Sequence, residues 1–121
     1  MPLIHSSYQP PLSLRNGHLS TIYPTLFRRL SSPLIDRERL ELPDGDFIDL
    51  DWSDRKYSRL AIIGHGLEGE SSAKYMRGMS LALGRRSWDT LAWNCRGCSG
   101  EPNRLLRSYH SGASDDLGHV V

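Results

Sequence analysis

The chain has 121 residues, 38% apolar and 24% charged, enough apolar content for one folded domain and too much for a disordered polypeptide. A net charge of +1 excludes the basic footprint of a nucleic-acid binder and a strongly acidic partner surface. No apolar run nears the roughly 18 residues of a membrane span, and Met1 to Ser7 lacks the basic-then-apolar order of a secretory leader. A cytoplasmic location is therefore expected. Cys95 and Cys98 lie too close together to staple a secreted scaffold, in keeping with a reducing compartment.

In chain order, Pro2, Pro10 and Pro11 keep residues 1 to 15 from forming a regular helix and predict an extended lead-in. From Asn16 to Leu30, the residues Leu19, Ile22, Tyr23, Leu26, Phe27 and Leu30 recur at helical spacing, with Pro24 starting or kinking the helix. Glu38 to Leu42 and Asp46 to Trp52 alternate apolar and polar residues around Pro43-Asp44-Gly45, the pattern of an antiparallel hairpin. Leu60-Ala61-Ile62-Ile63 is an unbroken apolar run that stops at glycine, which predicts a strand inside the sheet, covered on both faces. Ser71 to Leu83 places Met76, Met79, Ala82 and Leu83 on one stripe, with Ser71 or Ser72 as cap and Gly84 as stop. Trp88 to Trp93 reads as a further strand, then comes a glycine-rich loop to about Gly112 and a helix beginning near Ser114. Hairpin, strand, loop, helix, strand and helix in that order predict an α/β protein whose antiparallel edge precedes βαβ units.

The segment with chemical potential is Gly64-His65-Gly66-Leu67-Glu68-Gly69, at the carboxyl end of a predicted strand, where open α/β sheets bind ligands. Gly64, Gly66 and Gly69 satisfy G-x-G-x-x-G, so a dinucleotide-binding turn is one reading. That reading wants an acid at the end of the next strand, where Asn94-Cys95-Arg96 stands instead; Arg96 could meet the 2′-phosphate of NADP. In the second reading, the glycines turn the backbone so that the N–H of Leu67 faces a developing oxyanion, while His65 orients the loop by hydrogen bonding. A glycine turn without chemistry is the third.

Together with this loop, three segments resemble the YheT-like esterases of the α/β-hydrolase superfamily, the branch that includes the AB-hydrolase-domain lipases. They are Asn16-Gly17-His18-Leu19-Ser20-Thr21-Ile22-Tyr23-Pro24, Asn94-Cys95-Arg96-Gly97-Cys98-Ser99-Gly100-Glu101-Pro102-Asn103, and Tyr109-His110-Ser111-Gly112 followed by Asp115-Asp116-Leu117. The resemblance implies the N-terminal part of an α/β-hydrolase fold, an antiparallel hairpin leading into a parallel βαβ sheet and truncated before the nucleophile elbow. Residues 1–35 would be the lead-in and residues 36–121 an incomplete hydrolase domain. It implies an ester or acylglycerol substrate, a Ser, Asp and His triad whose members lie beyond Val121, and no cofactor or metal. Leu67 then supplies the first oxyanion donor from a loop shaped by His65 and Gly66, with Arg96 and Gly97 supporting the neighbouring loop. Oligomeric state does not follow from the sequence.

Other groupings compete for attention. Gly97-Cys98-Ser99-Gly100-Glu101 is half an elbow, but Glu101 replaces the last glycine, and Asp115 and His119 could complete only a triad on paper. Cys95-Arg96-Gly97-Cys98 has the spacing of a redox pair without the following helix that lowers a thiol pKa, and His110 and His119 lack zinc-finger spacing. Packing beneath the loop is the alternative role for both cysteines. Tyr109 to Gly112 either borders an acyl pocket or is a turn that sets up the last helix.

Overall fold

A tight turn organises the first half of the sheet. Gly45 takes φ +85°, its N–H donates to the Leu42 carbonyl at 2.9 Å, and the Leu42 N–H donates to Asp46 at 2.8 Å. This is seen in a computed structural model that describes residues 6–54, 56–110 and 112–121. The expectations for residues 1–5 and for Ser111 fall outside them. The turn joins β1 (Leu34–Glu41) to β2 (Phe47–Ser53); β3 (Leu60–Gly64), α2 (Lys74–Gly84) and β4 (Asp89–Asn94) follow, after α1 (Gly17–Phe27) and before α3 (Ser114–Val120).

The four strands form one mixed sheet in the order β1-β2-β4-β3, with β1–β2 and β2–β4 antiparallel and β3–β4 parallel. The protein is thus of the α/β class. The expectation that Leu60–Ile63 lies inside the sheet fails: β3 is an edge strand, and Leu60 and Ile62 stay partly exposed at 43% and 37%. The interior place belongs to β4, which is paired on both sides although it reads Asp-Thr-Leu-Ala-Trp-Asn. Its polar groups are buried because they are bonded: Asp89 accepts the N–H groups of Lys56 and Tyr57, Thr90 meets Ser80, and Asn94 bonds Asp49 and Asp51.

The two faces of the sheet differ in chemistry. On one, Leu42, Ile48, Leu50 and Leu91 form the apolar core with Leu40, Trp52, Trp93 and Val120 against them. On the other, Asp49 and Asp51 are buried instead of facing water, opposite Arg39 and Arg37 in register, and each arginine grips its aspartate through two hydrogen bonds of 2.6–3.0 Å. Burial works to raise both carboxyls, yet the facing arginines hold them below their ordinary range.

The helices follow the sequence reading in place and depart from it in detail. Asn16 caps α1 by accepting the N–H groups of His18 and Leu19, and the helix runs on through Pro24. The residues Leu19, Ile22, Tyr23, Leu26 and Phe27 are helical as expected and all exposed, and α1 is tied to α2 by the Lys74 ammonium on the Thr25 carbonyl. Neither Ser71 nor Ser72 caps α2, because Ser71 is drawn to Asp51 and Ser72 to Glu70; of the predicted stripe Met76 is buried while Met79 is exposed.

Candidate functional site

The loop after β3 is a turn fastened at several points. The Gly69 N–H donates to the Gly66 carbonyl at 2.9 Å, so Leu67 and Glu68 form the tip, with Glu68 at φ +52°. A left-handed conformation is unfavourable for a residue carrying a Cβ, so neighbours have to hold it. They do: the Glu68 N–H donates to the Tyr109 hydroxyl at 2.6 Å, and the Gly66 N–H to the Tyr75 hydroxyl at 2.8 Å. Gly69 is tightly enclosed as well. A Cβ there would lie 2.8 Å from the Tyr75 hydroxyl and 3.0 Å from the Gly66 carbonyl oxygen.

His65 acts as a strut. Its Nε2 accepts the Cys95 N–H at 3.0 Å, so the ring proton sits on Nδ1, which donates to the Gly66 carbonyl at 2.8 Å. Both ring nitrogens are therefore engaged with backbone. Leu67 projects outward, 86% exposed, and its N–H has no hydrogen-bond partner among the described residues. Its tip separates two cavities: one of about 560 Å³ beside Glu68, Glu70, Cys98 and Ser108, and one of about 450 Å³ beside Trp93, Ala113 and Leu117. Tyr109 borders both.

Arg96 lines the first of these cavities together with Leu67 and Glu68, and its guanidinium is enclosed by carboxylates, with two hydrogen bonds to Asp116 at 2.8 and 2.7 Å, one to Asp44 at 2.8 Å and one to Asp46 at 3.0 Å. It locks the hairpin turn and α3 to the end of β4. Arg96 holds the Asp116 carboxyl below its ordinary range, burial opposing it. A ring of three aspartates repels a phosphate, which removes the one cation the dinucleotide reading had for NADP. Gly97, at φ +73°, closes the Cys95–Cys98 turn and donates its N–H to Asn103.

The cysteines are free thiols; burial first, then the neighbouring Cys98 and Asp116, push Cys95 up to about 11. Such a thiol is no nucleophile at neutral pH. The Ser99 carbonyl accepts from Arg37, and on α3 it is Asp116, not Asp115, that is buried and held by Arg96. Among the described residues no group of His, Cys, Asp and Glu could hold a metal ion. The sequence reading missed Tyr75 altogether and gave Tyr109 a pocket or turn role. Neither tyrosine belongs to a glycine motif, and only the fold brings them to the loop from 9 and 41 residues away.

A glycine turn at the carboxyl end of a strand lies where α/β folds bind ligands, and relatives of known sequence narrow the class. The chain is 42% identical over 115 residues, 92% of its length, to a protein named as the esterase YheT from Escherichia coli (strain K12), of which it covers 34%. It is 32% identical to the embryogenesis-associated protein EMB8 of Picea glauca, over 88% of this chain and 26% of that one. An abhydrolase domain-containing protein of Dictyostelium discoideum is 28% identical, over 95% of this chain and 31% of that one. The chain is thus related to the α/β hydrolases, and within them to the YheT-like branch. It spans between about a quarter and a third of the length of these relatives. No family model matches the chain, and no solved structure does.

Proposed function

We propose that the chain carries the oxyanion-binding segment of a serine carboxylic-ester hydrolase acting on small-molecule esters, acylglycerols among them. The observation that carries this reading is the unpartnered N–H of Leu67 on a fastened turn, with the YheT relationship in support. When a serine oxygen attacks an ester carbonyl, the carbonyl oxygen becomes negative, and a fixed donor stabilises it without reorganising. Removing one such donor costs about 10²–10³ in kcat. His65 and Gly66 shape the donor; His65 is not the general base, because backbone groups occupy both its nitrogens.

The sequence contains no Gly-x-Ser-x-Gly, and Ser99 is followed by Gly100-Glu101, so the 121-residue chain is expected to show no turnover. The free Cys95 and Cys98 fit a reducing compartment such as the cytoplasm. The test uses p-nitrophenyl esters and a fluorophosphonate probe on the complete gene product and on this chain. Labelling and hydrolysis by the complete product, with none by the chain, support the reading. NADPH binding without labelling would sink it, and ester hydrolysis by the chain that Ser99→Ala abolishes would overturn the expected inactivity.

A further inference from the structure

Three successive amides of the loop meet different fates. Those of Gly66 and Glu68 are taken by the hydroxyls of Tyr75 and Tyr109 at 2.8 and 2.6 Å, and that of Leu67, between them, has no partner among the described residues. Consecutive N–H groups in a turn tend to converge into a cradle for a multi-oxygen anion. Here the outer two are occupied, so one donor is left. The tyrosines come from separate parts of the fold, the first turn of α2 and the loop before α3. Each is itself held in place: the Tyr75 hydroxyl sits against Gly69, and the Tyr109 ring stands edge-on to His65, with centroids 6.2 Å apart at 82°.

We propose that Tyr75 and Tyr109 are positioning residues which, by taking the flanking amides, hold the tip of the loop so that the Leu67 N–H alone faces the substrate oxygen. The role rests on the ester-hydrolase reading above. A phenol suits it because the oxygen accepts the backbone proton while the ring packs against the loop. Of the three loop amides, that of Leu67 is the one left free to donate to an ester oxygen becoming negative, and a fixed tip keeps it there without reorganising.

The test is amide-resolved NMR on the ¹⁵N-labelled chain with Tyr75→Phe and Tyr109→Phe, which keep the rings. In the parent chain Gly66 and Glu68 exchange slowly and Leu67 near the free-peptide rate. Tyr109→Phe is expected to speed exchange at Glu68 roughly tenfold, the worth of one net hydrogen bond, and Tyr75→Phe to do the same at Gly66. Each is also expected to lower the order parameter of the Leu67 amide from about 0.85 toward 0.6, with β2 unchanged. A merely structural tyrosine would lower the melting temperature and leave the Leu67 order parameter where it was. That result, or a Leu67 amide as protected as its neighbours, would overturn the proposal. Since the two phenols are replaced separately, a variant that loses the β2 signals leaves the other to decide. No step requires turnover, so failure of the esterase reading in the labelling assay is distinct from failure of the clamp.

Discussion

Replacing Arg96 by Met tests the energetic centre of the fold. The guanidinium, 2% exposed, makes four charge-assisted hydrogen bonds to Asp44, Asp46 and Asp116, the last two almost fully buried. Methionine fills much of the volume but takes from the buried carboxylates of Asp46 and Asp116 the guanidinium that bonds both. Removing one partner of a buried ion pair costs about 3–5 kcal/mol, against a total stability of about 5–15 kcal/mol. With a urea m-value of about 2 kcal/mol/M, the unfolding midpoint falls by about 2 M. Trp52, Trp88 and Trp93 provide the fluorescence signal.

The pH dependence of that loss is a sharper check. In the parent chain the Asp116 carboxyl is held low, first by Arg96, so its contribution is complete above its unfolded pKa of about 3.9 and is lost as pH falls through its lower folded value. In Arg96→Met the same buried carboxyl lies above that unfolded value, so the variant regains stability as pH falls from 7 toward 4. The gap between the two proteins is largest near neutrality and narrows in acid. Asp116→Asn, which leaves Arg96 with two aspartates, costs less than Arg96→Met. An unchanged midpoint in Arg96→Met, or a loss equal at pH 4 and pH 7, would refute the electrostatic reasoning.

Three further outcomes are expected. Asn94→Leu removes bonds to Asp49, Asp51 and the Ser71 N–H, and leaves buried groups unpaired; a loss of about 3 kcal/mol is expected by urea unfolding, since each such group costs about 1–3 kcal/mol. Gly69→Ala drives a Cβ into the Gly66 carbonyl and the Tyr75 hydroxyl and is expected to release the Gly66 amide, read as faster exchange there with β4 unaffected. Iodoacetamide at pH 7.5 is expected to modify half-exposed Cys98 in the native chain and Cys95 only after unfolding, as counted by intact mass, because burial pushes Cys95 to about 11.

What the sequence made legible was local. Asp44-Gly45 marks the hairpin turn, Gly64 to Gly69 marks the loop, and the alternation along β2 marks a strand, because turn chemistry and side-chain period are written in neighbouring residues. What escaped was set by neighbours distant in the chain. The hydrophobic run Leu60–Ile63 went to an edge, while polar Asp89–Asn94 took the interior, since strand order and not hydropathy decides which strand is paired twice. The burial of Asp49 and Asp51 depends on Arg37 and Arg39, which only the strand register brings opposite them. The candidate site was legible as a loop, and its fastening by Tyr75 and Tyr109 was not, since a tyrosine on another element has no signature in the glycine pattern.

The buried arginine also bears on the order in which the chain assembles. Its bonds reach back 52 residues to Asp44 and forward 20 to Asp116, whereas the hairpin turn closes over a few residues. Closing long loops costs entropy before any contact rewards it, so the turn is expected to form before the arginine lock closes. A bond absent from the transition state resists opening without hastening closure. Arg96 therefore governs how long the folded chain survives far more than how fast it is reached, and its substitution should steepen unfolding kinetics while leaving the refolding rate nearly untouched.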